Sequence, residues 1–470
     1  MDKYINIIKS SFLDIRFWLF IFFLIRLETI NLPPLDEHSW RQCITLGVAK
    51  SYLEVDPCFF EPKTVICDSR DGILAQEFPI LNYIIFLLWK VFGINNWSYR
   101  ILNLVVATLG VYYFYNIVKR LFDVKTALAS AIVFTVSVAF MYARKAMPDV
   151  FAVSLCLIGI EYGYRYIEKG KAKDFIFFVG MLSIGLLAKM PAAMVLPFGL
   201  FLITFKKEKR NRELVILGGG IVSVLLMAAW YFIWVPWAEM TYQFRLFFPT
   251  NFHEGFTQVY QMRSDFFQRF YPIALTSRLA FFFCIVGLLW SLFKINGKML
   301  LLFFFSLVIL VFFVLKTGAV FAGHVYYIIP FVPIMSLLAG YGISLTAKLD
   351  LIYLVLLFII SIEAVVAHKP DFFIESKNKK YLRLTELADT YIPKDKRILV
   401  NGGNGQPWMM YFTGRRGWTV DDRMKDTSWV KGESTVGLRY MLIDKAKWQD
   451  SIAFPVIYDD ADFRIYKVKD

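Results

Sequence analysis

The sequence predicts an all-α membrane protein. It reads as a polytopic bundle of about eleven crossing helices with further helices on its outer surface, followed by a small extracytoplasmic α/β domain. Three observations carry this. Of 470 residues, 57% are hydrophobic and only 19% charged, whereas a soluble domain carries nearer a quarter charged. Apolar runs recur from residue 13 to about residue 367, more than a soluble core can cover with polar surface. After His368 the character changes to charged helix, short strands and turns.

The candidate spans are residues 14–32, 101–118, 126–143, 150–166, 174–189, 191–205, 213–235, 275–293, 299–316, 325–346 and 350–367. The N-terminus is basic and no small-residue cleavage site follows its apolar run, so the first run reads as an uncleaved span. Basic residues then alternate between loops. Lys3, Lys9 and Arg16, Lys119, Arg120 and Lys125, Arg165 to Lys173, Lys206 to Arg212, Lys294 and Lys298, and Lys348 all fall on one side. The positive-inside rule makes that side cytoplasmic and accounts for the net charge of +14 without nucleic-acid binding. The opposite side receives residues 33–100, the turn at Met147-Pro148-Asp149, 236–274, 317–324 and everything after His368.

This sidedness requires that Pro79–Gly93 does not span; it is short, as re-entrant or interfacial segments are. Residues 38–54 read as an amphipathic surface helix, with Trp40, Ile44, Val48 and Tyr52 at four-residue spacing. The domains expected are thus 1–368, a membrane module whose first outer loop is 33–100, and 369–470, an extracytoplasmic α/β domain. In the latter, Arg397–Asn401, Tyr440–Ile443 and Phe463–Val468 read as strands. The turn Asn401-Gly402-Gly403-Asn404-Gly405 lacks a helix-opening phosphate motif and reads as loop geometry. Cys58 and Cys67 either pair across a short loop or remain free thiols.

Charged residues gather at the outer boundary. Asp36 and Glu37 follow the first span directly, where acids are costly unless exposed or used. Asp36 is either the cap of helix 38–54 or a general base facing a cavity. Glu77 opens the second surface helix, and Asp149 opens a span. Lys189 stands between two apolar runs, with Arg144, Lys316 and His324 at outer span ends. The loop 236–274 carries Arg245, His253, Glu254, Arg263 and Arg269 among aromatics; it reads either as a lid on the acceptor side or as an interfacial aromatic belt. Acids and cations at one boundary suit binding a lipid phosphate and deprotonating an acceptor. A lipid-linked-sugar transporter or flippase is the alternative; it predicts charges through the bilayer and paired repeats, which the sequence does not display. No metal-ligand spacing appears, and no cofactor is predicted.

The order of these motifs resembles the GT-C glycosyltransferases of the protein O-mannosyltransferase superfamily, which includes the enzymes that add aminoarabinose to lipid A. The resemblance covers roughly residues 14–345. It rests on Asp36-Glu37, on Glu77-Phe78-Pro79 with Tyr83 and Gly93, on Arg100, Asp149 and Lys189-Met190-Pro191, and on Tyr326-Tyr327-Ile328-Ile329-Pro330. It implies a sugar donor linked to a polyprenyl phosphate such as undecaprenyl phosphate, transferred with inversion to an extracytoplasmic glycolipid, lipopolysaccharide, other glycan or protein, in a bacterial inner membrane. It further implies Asp36 as general base, with Glu37, Asp149 and Glu77 as accompanying acids, and Lys189 and Tyr327 near the lipid phosphate. Arg144, His324 and Lys316 join the phosphate side by placement, and His253 and Arg263 the acceptor side. The aminoarabinose enzymes carry lysine where this chain has Phe78, which argues against that activity; Lys316 or Arg263 would have to substitute.

Overall fold

The computed structural model describes residues 10–244, 249–403 and 406–469. Arg245, Asn404 and Gly405, which figure in the expectations above, lie outside the described residues, as do Lys3 and Lys9. Contacts divide the chain into two compact units. The first holds 1–30, 99–233 and 248–370; the second holds 31–98, 234–247 and 371–470.

The first unit is helical. Among the described residues six helices are long and apolar enough to cross a membrane: Trp97–Leu121, Pro148–Lys169, Lys207–Tyr242, Gly297–Thr317, Val325–Thr346 and Asp350–Ala367. The helix pair Arg263–Ala274 and Arg278–Phe293 is apolar enough to cross when taken together, but is bent by 101°, as in a broken span or a re-entrant loop. The apolar runs are therefore divided more finely than the eleven expected spans. The run 126–143 breaks at Ser137 into Val124–Val136 and Ala139–Tyr142, and the first run forms only Ile15–Leu27. Residues 191–205 fall in a 3-10 helix, Met190–Leu202, containing Pro191 and Pro197. At about 2 Å per residue this tighter helix gains length that its 13 residues would lack as an α-helix. The protein is a multi-pass membrane protein.

Burial separates central from peripheral spans. Pro148–Lys169 and Val325–Thr346 are 83% buried over their apolar windows, whereas Gly297–Thr317 and Lys207–Tyr242 are 28% buried and present leucine and phenylalanine outward to lipid. Small residues bring backbones together, as expected where lipid removes the hydrophobic drive between helices. A Cβ on Gly287 would lie 2.0 Å from the Leu338 carbonyl oxygen, and one on Gly342 would lie 2.2 Å from that of Phe283. Glu363 closes the start of helix 278–293, accepting from the Ser277 hydroxyl at 2.5 Å and the Arg278 amide at 2.9 Å.

The second unit is built on a mixed five-stranded sheet: β1 (Arg397–Val400), β2 (Arg416–Thr419), β3 (Leu438–Asp444), β4 (Val456–Asp459) and β5 (Phe463–Lys467). The order is β2-β1-β3-β5-β4. β1 runs parallel to β2 and β3, and β5 is antiparallel to β3 and β4. Leu399, Trp418, Val430, Leu438, Met441, Ile443 and Tyr466 form its core. β1, β3 and β5 match the expected strands. β2 was not anticipated because Arg-Gly-Trp-Thr is short and interrupted by Gly417, nor was β4, an edge strand following Pro455. The Asn401 side chain ties the ends of β1 and β3, accepting from the Asp444 amide at 2.7 Å and donating to its carbonyl at 3.0 Å. The Gly402 carbonyl accepts from Lys447 at 3.0 Å.

Two expectations for residues 33–100 change. First, this loop groups with the sheet domain rather than with the spans. Its helices Ser39–Glu54 and Ile80–Phe92 pack on each other, and Ser39–Glu54 packs on helix Trp408–Thr413. Second, Ser39–Glu54 is not an amphipathic surface helix: Arg41 to Ala49, together with Ser51 and Tyr52, are all buried. Its polar residues face partners within the unit instead of water. Cys58 and Cys67 are free thiols, Cys58 exposed and Cys67 buried, so the bridge does not form.

Candidate active site

The acids expected at the outer boundary are distributed over both units, and each group is built locally. In the second unit, Leu35, Asp36 and the following turn enter helix Ser39–Glu54 through His38, whose φ of 58° is the left-handed conformation rarely taken by residues other than glycine. That sharp turn makes His38 the N-cap residue, and His38 makes no side-chain cap bond. The Asp36 carboxylate is 4% exposed and accepts a 2.7 Å hydrogen bond from the Gln42 amide, which also donates to the Glu37 carbonyl at 3.3 Å. A buried carboxylate thus has a fixed donor and a fixed orientation. Its charge is felt by the neighbouring Cys43 thiol, which burial first, and Asp36 second, push well above the ordinary range. Glu37 points outward and its carboxylate lies 3.6 Å from the His38 ring.

Glu77 is engaged one residue away on the same helix. Its carboxylate accepts from Arg41 at 2.9 Å, in an ion pair whose side chains are 6% and 14% exposed. Arg41 also donates to the Thr45 hydroxyl at 3.3 Å. Adjacent residues Arg41 and Gln42 therefore hold the two acids, and neither was singled out as functional from the sequence. The available signal was spacing: they lie in the first turn of the helix that follows Asp36. Phe78, at the position where the resembled enzymes carry lysine, meets Phe59 edge to face with ring centroids 5.0 Å apart.

In the first unit, Pro148 opens a helix and places Asp149 in its first turn, where the helix dipole favours a negative charge. Asp149 is 1% exposed, and Lys189 Nζ lies 3.8 Å from its Oδ1. Lys189 sits at the break between helix Ala172–Ala188 and the 3-10 helix, with extended backbone, so its side chain leaves the helical stack there. Its ammonium lies over the rings of Tyr327 at 5.6 Å and Tyr326 at 6.0 Å. His324 stacks on Tyr327 at 5.4 Å and its Nδ1 is 2.8 Å from the Val320 carbonyl oxygen. Burial lowers the His324 imidazole below its ordinary range, helped by the charges of Lys189 and Arg269 and opposed by the Val320 bond and Asp149. Asp149, Lys189, His324 and Tyr327, far apart in sequence, are one group.

Further cations border this group. Arg144 and Lys145 are buried, Lys145 over the Tyr142 ring at 5.1 Å, and Tyr142 stands 6.0 Å from Tyr326. Arg269 is held by the Ala322 carbonyl and is close enough for its charge to act on His324. Buried Arg26 lies over Phe140 at 4.8 Å, within electrostatic range of Arg144. Arg26 was unmarked in the sequence because a single arginine near the end of a span reads as snorkelling. Lys316, His253 and Arg263 gather elsewhere in the unit, around helix Phe252–Gln261. Lys316 lies over Phe252 at 4.9 Å, His253 is exposed on the helix, and Arg263 lies over Tyr260 at 5.2 Å. Among the described residues no group of three or more His, Cys, Asp or Glu side chains is arranged to hold a metal ion.

Residues 76–234 match the family described as dolichyl-phosphate-mannose-protein mannosyltransferase. An uncharacterised protein of Aquifex aeolicus (strain VF5) is 25% identical over 277 residues, 56% of this chain and 52% of that protein. A second from the same organism is 23% identical over 198 residues, 42% of this chain and 44% of that protein. The chain spans about half the length of the curated relatives it matches. The crystal structure of ArnT from Cupriavidus metallidurans in the apo state is similar over 96% of this chain and 98% of that one, with TM-score 0.59 and 11% identity. The same protein bound to undecaprenyl phosphate gives 0.56 at 10% identity, covering 96% and 98%. The apo oligosaccharyltransferase of Archaeoglobus fulgidus gives 0.55 at 11% identity, covering 91% of this chain and 69% of that one. At these identities the likeness to solved structures is one of fold. Residues 76–234 thus match the dolichyl-phosphate-mannose-protein mannosyltransferase family, and the chain as a whole shares the fold of ArnT and of the archaeal oligosaccharyltransferase.

Proposed function

We propose that this protein transfers a sugar from a polyprenyl-phosphate carrier to an extracytoplasmic acceptor, with inversion at the anomeric carbon, and that Asp36 is the general base. The observation that carries this reading is the buried group of Asp149, Lys189, Tyr326, Tyr327 and His324. A buried ammonium at the end of a helix, backed by aromatic faces and a carboxylate, suits the phosphate monoester of a lipid whose tail stays in the bilayer. ArnT, which shares the fold, has been solved bound to undecaprenyl phosphate.

In the proposed reaction the acceptor oxygen or nitrogen attacks the anomeric carbon while the carbon–oxygen bond to phosphate breaks. The bonding pair leaves with the phosphate oxygen, where Lys189, with Arg144, stabilises the developing charge. The acceptor proton passes to Asp36, whose orientation Gln42 sets. Glu77, paired with Arg41, shapes the loop that carries Asp36. We place this chemistry on the outer face of a bacterial inner membrane, following the charge asymmetry of the loops.

The test is Asp36→Asn in membranes supplied with a labelled polyprenyl-phosphate sugar. Transfer should fall roughly 100-fold or more, the scale of a lost general base, while donor binding persists. Undiminished transfer would remove Asp36 as base. Donor movement across the bilayer without transfer by the unaltered protein would favour a flippase.

A further inference from the structure

The C-terminal sheet does more than follow the membrane unit: a segment of the first outer loop is added to its edge. Ile66 makes an isolated parallel bridge to Gly417 of the edge strand β2. The Cys67 and Asp68 amides both donate to the Gly417 carbonyl at 3.0 Å, and the Gly417 amide donates to the Val65 carbonyl at 3.1 Å. Gly417 is required here by its φ of 150° and because a Cβ would lie 2.0 Å from the Ile398 carbonyl oxygen of β1. Two arginines of the sheet then grip the loop's backbone. Arg397 donates to the Asp68 carbonyl at 3.0 Å and to that of Arg70 at 3.3 Å, and Arg416 donates to the Asp71 carbonyl. The loop folds back on itself at Gly72, with the Thr64 amide donating to the Gly72 carbonyl at 2.8 Å and the Leu74 amide to that of Pro62 at 2.9 Å.

Three residues beyond Leu74 the chain reaches Glu77. From there a continuous line of contacts runs through Arg41 and its neighbour Gln42 to Asp36. The same helix, Ser39–Glu54, packs on helix Trp408–Thr413 of the sheet domain, and its Thr45 carbonyl accepts from Asn82 at 2.9 Å. The loop carrying both acids is thus attached to the sheet domain at two places, by strand addition and by helix packing. Strand addition is suited to this because main-chain bonds fix register and direction together.

We propose that the C-terminal domain is the scaffold that sets the position of Asp36 and Glu77, and that Arg397 and Arg416 are positioning residues acting through the 64–75 segment. This rests on the reading of Asp36 as base, but its structural half can be measured independently. The loop of a GT-C enzyme is then held by a domain more than three hundred residues away in sequence, and the bonds it uses are made to backbone carbonyls, which leaves the loop's side chains free to vary.

The experiment uses the full chain in detergent or nanodiscs, comparing the unaltered protein with Arg397→Gln/Arg416→Gln and with Gly72→Val, which strains the same loop from its own side. Hydrogen exchange should accelerate roughly tenfold or more at the Thr64, Cys67 and Asp68 amides, as expected when bonds to charged donors are lost. It should also rise in the first turns of Ser39–Glu54, while β3 and β5 stay protected. Transfer should lose kcat with donor Kd unchanged, and Arg397→Lys/Arg416→Lys should recover part of it. Loosening of 64–75 with no change in Ser39–Glu54 or in kcat would overturn the proposal, as would unchanged protection at 64–75. If the unaltered protein shows no transfer, the proposed function fails, and the exchange data alone decide whether the sheet domain positions the loop.

Discussion

Replacing Lys189 with Met tests the phosphate reading most directly. The substitution keeps length and apolar volume but removes the ammonium that lies 3.8 Å from Asp149 and over Tyr326 and Tyr327. Two effects follow, and they separate. Removing one partner of a buried ion pair is destabilising by about 3–5 kcal/mol, because the other charge remains in a poorly solvated place. Independently, losing a charged hydrogen-bond donor to phosphate costs about 1.5–3 kcal/mol, or roughly 10- to 150-fold in Kd. The double variant Lys189→Met/Asp149→Asn divides the two: thermal stability should return toward that of the unaltered protein, since neither charge is left buried, while donor affinity should remain weak. Asp149→Asn alone should bind the donor at least as tightly as the unaltered protein, because the ammonium loses a competing carboxylate. The assay is titration of purified protein in detergent with undecaprenyl phosphate, paired with thermal unfolding. Unaltered affinity in Lys189→Met, or recovery of affinity in the double variant, would refute the assignment of Lys189 to the phosphate.

Three further outcomes are expected. Gly255→Val should lower the unfolding temperature, because a Cβ there would lie 1.8 Å from the Leu315 carbonyl oxygen and helix Phe252–Gln261 would have to lift from the span; overpacking of this kind costs about 1–3 kcal/mol, and an unchanged melting curve would count against the docking. His324 is held below its ordinary pKa of 6.5, chiefly by burial, so the unfolded chain takes up its proton first: the stability it contributes is complete above pH 6.5 and is lost as pH falls from there toward the lowered folded value. Melting temperature followed over that window should fall less steeply in His324→Gln, and parallel curves would contradict the burial argument. Maleimide should label Cys58 in the native protein and Cys67 only after denaturation, with no mass signature of a 58–67 bridge under non-reducing digestion.

Much of this protein is legible before folding because the bilayer imposes simple rules. Twenty apolar residues are a local property, so the membrane class needs no tertiary information. The individual acids Asp36, Glu77 and Asp149 are equally local, since each stands beside a proline-containing boundary of an apolar run. The number of full-length helices was not, because Ser137 and the Lys189-Met190-Pro191 break interrupt runs that hydropathy averages across.

What remained hidden was whatever depends on partners. Helix Ser39–Glu54 shows a four-residue apolar spacing and was expected at a surface; it is buried on all sides because Arg41 and Gln42 spend their polarity on Glu77 and Asp36 instead of on water. Strand β2 is unrecognisable as Arg-Gly-Trp-Thr, yet becomes a strand because β1 pairs with one edge and residue 66 with the other. The amino-acid order alone determined the solvent and where acids and cations stand along the chain, since these follow from short windows of polarity. Only the tertiary structure decided that Arg41 meets Glu77, and that Lys189 meets Asp149 and Tyr327, because those pairings join residues 36 to more than 130 positions apart and depend on how helices and strands pack.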